Sequence, residues 1–415
     1  MARTVARSTR RRAPARSRAA TSRRTSTRPK SAARGTKSRA RRVDLLVGTI
    51  KGAFMIRGGG AGRELRIEGP HFLGNEVNHV VVDPRDGRTM LAAAVTGHLG
   101  PTVFRSVNGG KTWAEAKRPP AFPKAGEGQN AFAVKRTFFL TPGHASEPDV
   151  WWAGTVPHAV FRSADGGVTW DLCEGFDRFV AGIREQYPNS LGETPGGFIT
   201  HSILVDPRNA SHLYVSLSSG GFFESMDRGE SWRPLNEGVS VVDFLPVKFP
   251  VVGQDPHCAV MSPANPDRIY QQNHCGVYRL DRPGVKWDRI GMKLPTKIGD
   301  IGFPIVAHPR DPDTVWVFPM DGTQVWPRTS PDGKPATFVS RNGGKSWTRQ
   351  AKGFPAAQAY FTVFRQAMKS DAAPNVSLYL GTTAGEIWRG RDEGESWTRV
   401  ADHLPRILSV EVVER

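Results

Sequence analysis

The side chains best suited to bind a metal or to transfer a proton lie close together in one part of the chain. Two histidines are each followed by a cysteine, in the pairs His257-Cys258 and His274-Cys275, and Asp255 precedes the first pair. Such a set suggests a zinc site, but neighbouring residues of a strand point to opposite faces, so one ion would rarely bind all four. We expect both histidines to face a common site and both cysteines to pack as small apolar groups.

An internal repeat predicts the elements that position these residues. The stretch "SADGGVTW" (163–170) recurs along the chain, with Trp287 in a degenerate copy, and successive Trp residues are 57, 62, 55, 60 and 50 positions apart. Each interval is long enough for four short strands and a loop, which is the unit of a propeller blade. The Gly residues allow the positive φ of a tight turn, and Asp or Asn can bond backbone amides across it.

The repeated turn is predicted to be structural rather than catalytic. Each Trp is expected to fill the gap between neighbouring blades, and a turn on the blade rim faces away from any shared centre. The residues assigned to these turns are Asn108, Trp113, Asp165, Trp170, Asp227, Trp232, Asn342, Trp347, Asp392 and Trp397.

The predicted fold is all-β, a seven-bladed β-propeller of four-stranded blades with the repeated turns, over residues 43–415. Six turn copies account for six blades. Residues 43–69 supply three further strands and residues 406–413 supply one, so the first blade is predicted to be closed by strands from both termini. Closure removes the exposed edges that an open array of strands would have.

The pattern S-x-D-x-G-x-[ST]-W resembles the Asp-box, or BNR repeat, of the sialidase-like superfamily. That superfamily includes sialidases, the sortilin propeller, xyloglucanases and photosystem II assembly factors, and the chain is similar to its bacterial glycosyl hydrolase-type members. The resemblance covers residues 43–415. It implies a propeller fold, whereas its members share little chemistry, so function has to be argued from the site.

In each predicted blade the first strand lines the central channel and the second strand returns beside it, so the start of the first and the end of the second lie at the same mouth. Six of the 11 histidines fall at these positions. His79, His201, His257 and His274 are predicted to bind one divalent transition metal, namely Zn, Mn, Fe or Ni. The alternatives are a metal-free site for a small polar ligand, and histidines that only bond loop carbonyls. The predicted ligand-binding residues are His79, His98, His158, His201, His257, His274, Arg136 and Arg365.

Asp255 and Asp300 are the predicted catalytic residues, either beside a metal or as the carboxylate pair of a glycoside hydrolase. The resemblance to sialidases implies three arginines that clamp a carboxylate, the first in an Arg-Ile-Pro motif. This motif is absent, and only Arg136 and Arg365 could serve, so we do not expect sialidase activity. Xyloglucanases of the superfamily use two tandem propellers, whereas this chain has residues for one.

Three functions therefore stay open. The first is binding of a metal or a small polar ligand at the His-rich mouth, with hydrolase or lyase activity. The second is a sialidase-like glycoside hydrolase with a carbohydrate-like ligand, and the third is a non-catalytic assembly or scaffold factor. An amphipathic segment at 176–187 is predicted to form a helix that covers the mouth or packs on the rim.

Charge is unevenly distributed along the chain. Residues 1–42 contain 16 Lys and Arg and no Asp or Glu, which leaves 41 basic and 39 acidic side chains elsewhere. This segment is too poor in apolar residues to fold, so we predict a disordered basic tail. It either binds nucleic acid non-specifically through phosphates or is a solvated extension.

The remaining composition favours a cytoplasmic monomer without membrane association. Three cysteines, Cys173, Cys258 and Cys275, are too few for a disulfide scaffold. No export signal follows Arg41-Arg42, and no apolar run approaches the roughly 18 residues needed to span a bilayer.

Overall fold

The computed structural model describes residues 42–58, 66–98, 100–124, 133–188, 198–241, 250–323 and 328–415. Residues 1–41 lie outside the described part, and the prediction of a basic tail therefore falls there. Arg42 is described, and it exchanges backbone hydrogen bonds with Arg415.

The described chain is built almost entirely of antiparallel strands arranged in groups of four. The first group consists of β1 (Val43–Thr49), β2 (Gly52–Arg57) and β3 (Arg66–His71), completed by the last strand, β28 (Ile407–Glu414). The second consists of β4 (Glu76–Val82), β5 (Met90–Thr96), β6 (Gly100–Ser106) and β7 (Ala114–Glu115). The third consists of β8 (Arg136–Pro142), β9 (Trp151–Val156), β10 (Val160–Ser163) and β11 (Asp171–Leu172).

The remaining groups repeat this order. The fourth consists of β12 (Thr200–Val205), β13 (Leu213–Leu217), β14 (Gly221–Ser225) and β15 (Arg233–Pro234). The fifth consists of β16 (Pro256–Ser262), β17 (Asn265–Asn273), β18 (Gly276–Asp281) and β19 (Asp288–Arg289). The sixth consists of β20 (Gly302–Ala307), β21 (Val315–Pro319), β22 (Thr337–Ser340) and β23 (Thr348–Gln350). The seventh consists of β24 (Val363–Ser370), β25 (Leu378–Thr382), β26 (Ile387–Arg391) and β27 (Ser396–Ala401).

The predicted closing strand is present. β28 pairs antiparallel with β1, with Leu45 opposite Val412 and Val47 opposite Val410. A single parallel bridge from Gln366 to Ser409 joins this group to the seventh, which makes one curled sheet of eight strands. The strands of residues 43–69 and 406–413 are thus paired as the sequence predicts.

In each group one strand, hereafter its first strand, lies beside a common centre; in the first group this strand is β28. Each contacts the first strand of the next group, in the order β28, β4, β8, β12, β16, β20 and β24, and β24 returns to β28. This arrangement is consistent with a β-propeller, and it leaves the first strands as the walls of a central channel.

The repeated turns are closed by side-chain hydrogen bonds. In the turn from Ser163 to Thr169, Asp165 Oδ1 accepts the Thr169 N–H at 2.9 Å, and Ser163 Oγ accepts the Gly167 N–H at 2.9 Å. Burial raises the pKa of Asp165, but its hydrogen bonds with Thr169 and Ser163 outweigh burial and lower it. Asn108 closes its own turn in the same way, accepting the Thr112 N–H at 3.0 Å.

One copy of the turn lacks the serine for a steric reason. Gly390 stands at the serine position, and a Cβ there would lie 2.8 Å from the Trp397 ring. Asp392 and Glu393 adopt left-handed backbone at φ 49° and 59°, and a backbone bond from Gly394 to Arg391 closes the turn.

Each turn tryptophan packs against the preceding group, as the sequence predicts. Trp170 is 3% exposed and packs with Leu91, Ala93 and Val103 of the second group. Its Nε1–H donates to the Gly167 carbonyl at 3.1 Å. The apolar core therefore lies between neighbouring groups.

Three short helical elements complete the described fold. The helix α1 (Glu174–Gln186) forms where the sequence predicts one, and its Phe176, Val180 and Ile183 are buried. These side chains pack with Trp232, which places the helix on the rim between the third and fourth groups. Two 3-10 turns span Gly291–Lys293 and Pro331–Gly333.

Trp170→Ala should lower the free energy of unfolding by about 3–5 kcal/mol, because it empties a filled space between two groups. Met226→Ala is the control, since Met226 is 55% exposed in a neighbouring turn and should cost less than about 0.5 kcal/mol. Urea unfolding at pH 7 measures both. Equal midpoints and slopes for Trp170→Ala and the unchanged protein would contradict this account of the core.

The fourth group also contains a buried carboxylate that three cationic or imidazole side chains surround. Glu224 accepts from His212 Nε2 at 2.9 Å, from Arg233 Nε at 2.8 Å and from Arg282 at 2.5 Å. Burial raises its pKa, but these partners outweigh burial and hold the pKa at about 2, below its ordinary value of 4.5. Glu224 therefore contributes stability above pH 4.5, and that stability is lost as the pH falls towards 2.

Glu224→Gln should cost about 3–5 kcal/mol at pH 7, because it leaves the largely buried Arg282 guanidinium without its carboxylate. The deficit relative to the unchanged protein should shrink at pH 3, because Glu224 in the unfolded chain, with its ordinary pKa of 4.5, is mostly protonated there and this favours unfolding of the unchanged protein. Urea unfolding at both pH values measures it, with the exposed Glu185→Gln as control. A deficit that stays constant between pH 7 and pH 3 would show that the ionised carboxylate is not responsible.

Candidate functional site

Asp255, His257 and His274 form a buried cluster at one mouth of the channel, hereafter the Asp255 cluster. Each offers a ligand atom, and these atoms all lie within 4.8 Å of one another. Asp255 Oδ2 is 3.3 Å from His257 Nε2 and 3.6 Å from His274 Nδ1. The three residues are between 1% and 4% exposed.

Local strand geometry explains how the cluster forms. His257 lies in a β-bulge, because the register of β16 against β17 shifts between Pro256 and Cys258. His274 follows β17 directly, and its backbone N–H donates to the Asp255 carbonyl at 2.9 Å. A bulge re-aims a side chain, so His257 is turned towards the residue that precedes its own strand.

The same bulge recurs around the channel. The register shifts at His201 in β12, at Phe303 in β20 and around Arg365 in β24, each time near the start of the first strand. These three residues and His257 therefore sit at one level of the channel wall.

The hydrogen bonds of His257 fix which of its nitrogens faces Asp255. Its Nδ1 lies 2.6 Å from the Gly302 carbonyl, which can only accept, so Nδ1 carries a proton. In the neutral ring Nε2 then has a lone pair, and this lone pair faces Asp255 Oδ2. Burial lowers the pKa of His257 despite the nearby carboxylate, which favours the neutral ring.

Asp255 itself is held as a carboxylate. Burial raises its pKa, but His257, His274 and Arg365 outweigh burial and lower it well below the ordinary range. Its Oδ1 accepts the Ser219 N–H at 3.2 Å. A carboxylate oxygen and an imidazole lone pair thus face each other in a buried site, an arrangement that a cation between them would stabilise.

Two arginines and a phenylalanine lie beside the cluster. The guanidinium carbon of Arg365 is 4.7 Å from the centre of the Phe303 ring, and that of Arg328 is 4.9 Å from it. The Phe303 ring is 4.8 Å from the His257 ring. Burial lowers the pKa of Arg365 to about 10, although Asp255 opposes this change.

The structure distributes the other predicted metal ligands differently. His201 is 1% exposed, and its Nδ1 lies 3.3 Å from Ser202 Oγ. Burial and Arg365 lower the pKa of His201 well below its ordinary value, so it is a neutral neighbour of the cluster. It lies outside the group whose ligand atoms are all within 4.8 Å of one another.

His79 belongs to a separate network on first strands β4, β24 and β28. Its Nε2 donates to Glu411 Oε1 at 3.0 Å, and its Nδ1 accepts the Leu140 N–H at 3.1 Å. Glu411 also pairs with Lys369 at 2.9 Å. Both ring nitrogens of His79 are therefore committed, and the four predicted histidines do not form one set of ligands.

Three further predicted ligand residues do not belong to the Asp255 cluster. His158 is buried against Phe198, and burial with Arg184 nearby lowers its pKa to about 3. His98 is exposed. Arg136 pairs with Glu76 at 3.0 Å, and its side chain is 41% exposed.

The two predicted catalytic carboxylates have different partners. Asp300 accepts two hydrogen bonds from Arg289, at 2.9 and 2.8 Å, so this arginine occupies it. Asp255 has a lowered pKa, which suits a ligand or base better than a proton donor. The described contacts thus do not show the acid and base pair of a glycoside hydrolase.

The three cysteines, all of which are described, form no disulfide and do not belong to the Asp255 cluster. Cys275 is 2% exposed, and burial raises the pKa of Cys258.

A cavity of about 460 Å³ lies within the channel, hereafter the channel cavity. It is lined by residues of first strands β8, β12, β16, β20 and β24, among them Ser202, Cys258 and Lys369. Arg365 also lines it, and the same arginine lowers the pKa of Asp255. Arg365 therefore connects the channel cavity with the Asp255 cluster.

Comparison with known proteins identifies the architecture. No protein-family model matches the chain. The GH74 xyloglucanase structure from Xanthomonas campestris superposes with a TM-score of 0.59 at 17% identity, covering 87% of this chain and 53% of the other. The fold is a β-propeller.

Two curated proteins share weak sequence similarity with this propeller. A xyloglucanase from Paenibacillus sp is 23% identical over 242 residues, which is 52% of this chain and 22% of that protein. A probable oligoxyloglucan-reducing end-specific xyloglucanase from Neosartorya fischeri is 25% identical over 132 residues, or 31% and 14% of the two chains. The chain thus spans less than a quarter of either relative.

Sequence reasoning missed several parts of the site. Phe303 and Arg328 were not predicted, because no repeat position marks them and their partners are distant in sequence. The bulges were not predicted either, because the alternation of apolar and polar residues does not reveal them.

Within the described residues, no helix is both long and apolar enough to cross a membrane.

Proposed function

We propose that this protein is a seven-bladed β-propeller that binds a divalent transition metal through Asp255, His257 and His274. The observation that carries the proposal is the buried convergence of three ligand atoms, in which Asp255 Oδ2 lies 3.3 Å from His257 Nε2 and 3.6 Å from His274 Nδ1. Seven groups of four strands, with their first strands in cyclic order, support the blade count.

The donor set suits a transition metal better than Ca²⁺ or Mg²⁺, which prefer oxygen ligands. Two imidazole nitrogens and one carboxylate oxygen suit Zn, Mn, Fe or Ni. The Gly302 carbonyl accepts the Nδ1–H of His257 and so orients the ring, as a carbonyl or carboxylate commonly does for the non-coordinating nitrogen of a metal-bound imidazole. Metal–ligand bonds of about 2.1 Å would require the three ligand atoms to move only slightly relative to one another.

Three protein ligands would leave coordination positions for water or a substrate oxygen. A metal there would act as a Lewis acid, or would lower the pKa of bound water. The chain itself supplies Arg365 and Arg328 beside the metal ligands, and neutral His201 lies nearby. Hydrolysis or elimination on a small polar ligand is the chemistry that this set of groups favours.

Purified protein should contain about one equivalent of transition metal, and Asp255→Asn should retain less than about a tenth of it, because the ligand set loses its only charge. His79→Gln is the matched control, since His79 is equally buried but bonded to Glu411. Elemental analysis after dialysis, followed by calorimetric titration with Zn²⁺ and Mn²⁺, measures the difference. Circular dichroism confirms that each variant is folded.

Equal metal content in Asp255→Asn and the unchanged protein would contradict the proposal. Loss of metal in His79→Gln with retention in Asp255→Asn would place the site on the other network instead.

Glycan hydrolysis is the second candidate function, and the sequence similarity to two xyloglucanases is the observation that favours it. The occupied Asp300 and the lowered pKa of Asp255 provide no evident proton donor. We therefore expect no release of reducing ends from xyloglucan above a heat-treated control. Release that persists in EDTA and disappears in Asp255→Asn would instead support a metal-independent glycoside hydrolase.

A further inference from the structure

We propose that the channel cavity binds a small organic anion whose acid group pairs with Arg365. The inference rests on the proposed function, because it names the ligand class that the metal site would receive. Three observations carry it: the contacts of Arg365, the charge around it and the cavity that it lines.

Arg365 is a charged group whose polar atoms are incompletely satisfied. Its Nε is buried and has no hydrogen-bond acceptor in the described part of the chain. Within the same residues it forms no ion pair, and Phe303 covers its guanidinium at 4.7 Å. A buried donor without an acceptor is costly, so an anion at this position would be strongly favoured.

The surrounding charge also favours an anion. Arg328 lies over the same ring. Burial lowers the pKa of both arginines, and the negative charge of Asp255 acts in the opposite direction on both. The two guanidinium groups thus lie close to one ring, and a metal in the Asp255 cluster would add further positive charge.

The channel cavity provides space for the rest of such a ligand. Its volume of about 460 Å³ lies in the range of small-molecule sites. Ser202, Gln366 and Lys369 add polar groups to its wall, and Glu411 already neutralises Lys369. Arg365 is thus the lining cation without a carboxylate partner, and its planar fork binds a carboxylate or a phosphate bidentately.

Calorimetric titration with malonate, inorganic phosphate and neutral glucose, each at constant ionic strength, tests the inference. The unchanged protein should bind malonate or phosphate and not glucose, and the stronger of the two anions distinguishes a carboxylate ligand from a phosphate ligand. Arg365→Gln should weaken binding of that anion at least about tenfold, whereas Arg118→Gln, at an exposed arginine paired with Asp171, should leave the affinity unchanged. Both variants keep the basic segment 1–42, so non-specific anion binding there cancels.

Two further variants separate this inference from the metal proposal. Arg365→Lys keeps the charge without the fork and should bind with intermediate affinity, which also serves if Arg365→Gln fails to fold. Arg365→Gln should keep the metal content of the unchanged protein, while Asp255→Asn should lose it. If Asp255→Asn loses the metal and still binds the anion, the anion site does not depend on the metal.

Unchanged anion affinity in both Arg365 variants would overturn the inference. Absence of malonate and phosphate binding by the unchanged protein would overturn it as well.

Discussion

Pairing of the last strand with the first described strand is the interaction on which the remaining architecture depends. β28 forms its ladder with β1 from Val43 to Thr49, and a bridge to β24 joins the two ends of the strand array. Without this pairing, β24 and β1 would present open edges, and the first strands could not surround a common centre. His257, Phe303 and Arg365 of the candidate site come from those first strands, Asp255 precedes one of them, and His274 follows the neighbouring second strand β17.

Closure has a second consequence, because it forces polar side chains into a narrow channel. The bulges at His201, His257, Phe303 and Arg365 turn bulky side chains inwards at one level. The polar groups of the channel are unequally matched. Lys369, Glu411 and His79 pair with one another, whereas Arg365 Nε has no hydrogen-bond acceptor within the described residues. The proposed anion would supply that acceptor.

The sequence predicts the fold well because its determinants are local and repeated. The turn glycines, the Ser and Asp side chains and the tryptophans recur at regular spacing, and the structure confirms the hydrogen bonds and packing expected of them at Asp165 and Trp170. The helix near 176–187 was also predictable from its amphipathic pattern. Its position on the rim was not, since Trp232 comes from a different blade.

The site was only partly predictable. Two of the predicted histidines and Asp255 come together, because antiparallel neighbours β16 and β17 place a strand start beside a strand end. His79 satisfies the same rule, yet Glu411 and Leu140 occupy both of its nitrogens, and Glu411 is 332 residues away in sequence. Periodicity predicts which end of a strand a residue occupies. It cannot predict which distant side chain already binds it.

The central claim is that a metal ion lies between Asp255, His257 and His274. Anomalous diffraction from crystals grown with Mn²⁺ or Zn²⁺, recorded on both sides of the metal absorption edge, tests this claim most directly. The account predicts one strong anomalous peak about 2.1 Å from an Asp255 oxygen and from one nitrogen of each histidine. A peak only elsewhere, or none, with His257 Nε2 bonded directly to Asp255 through a proton, would contradict it.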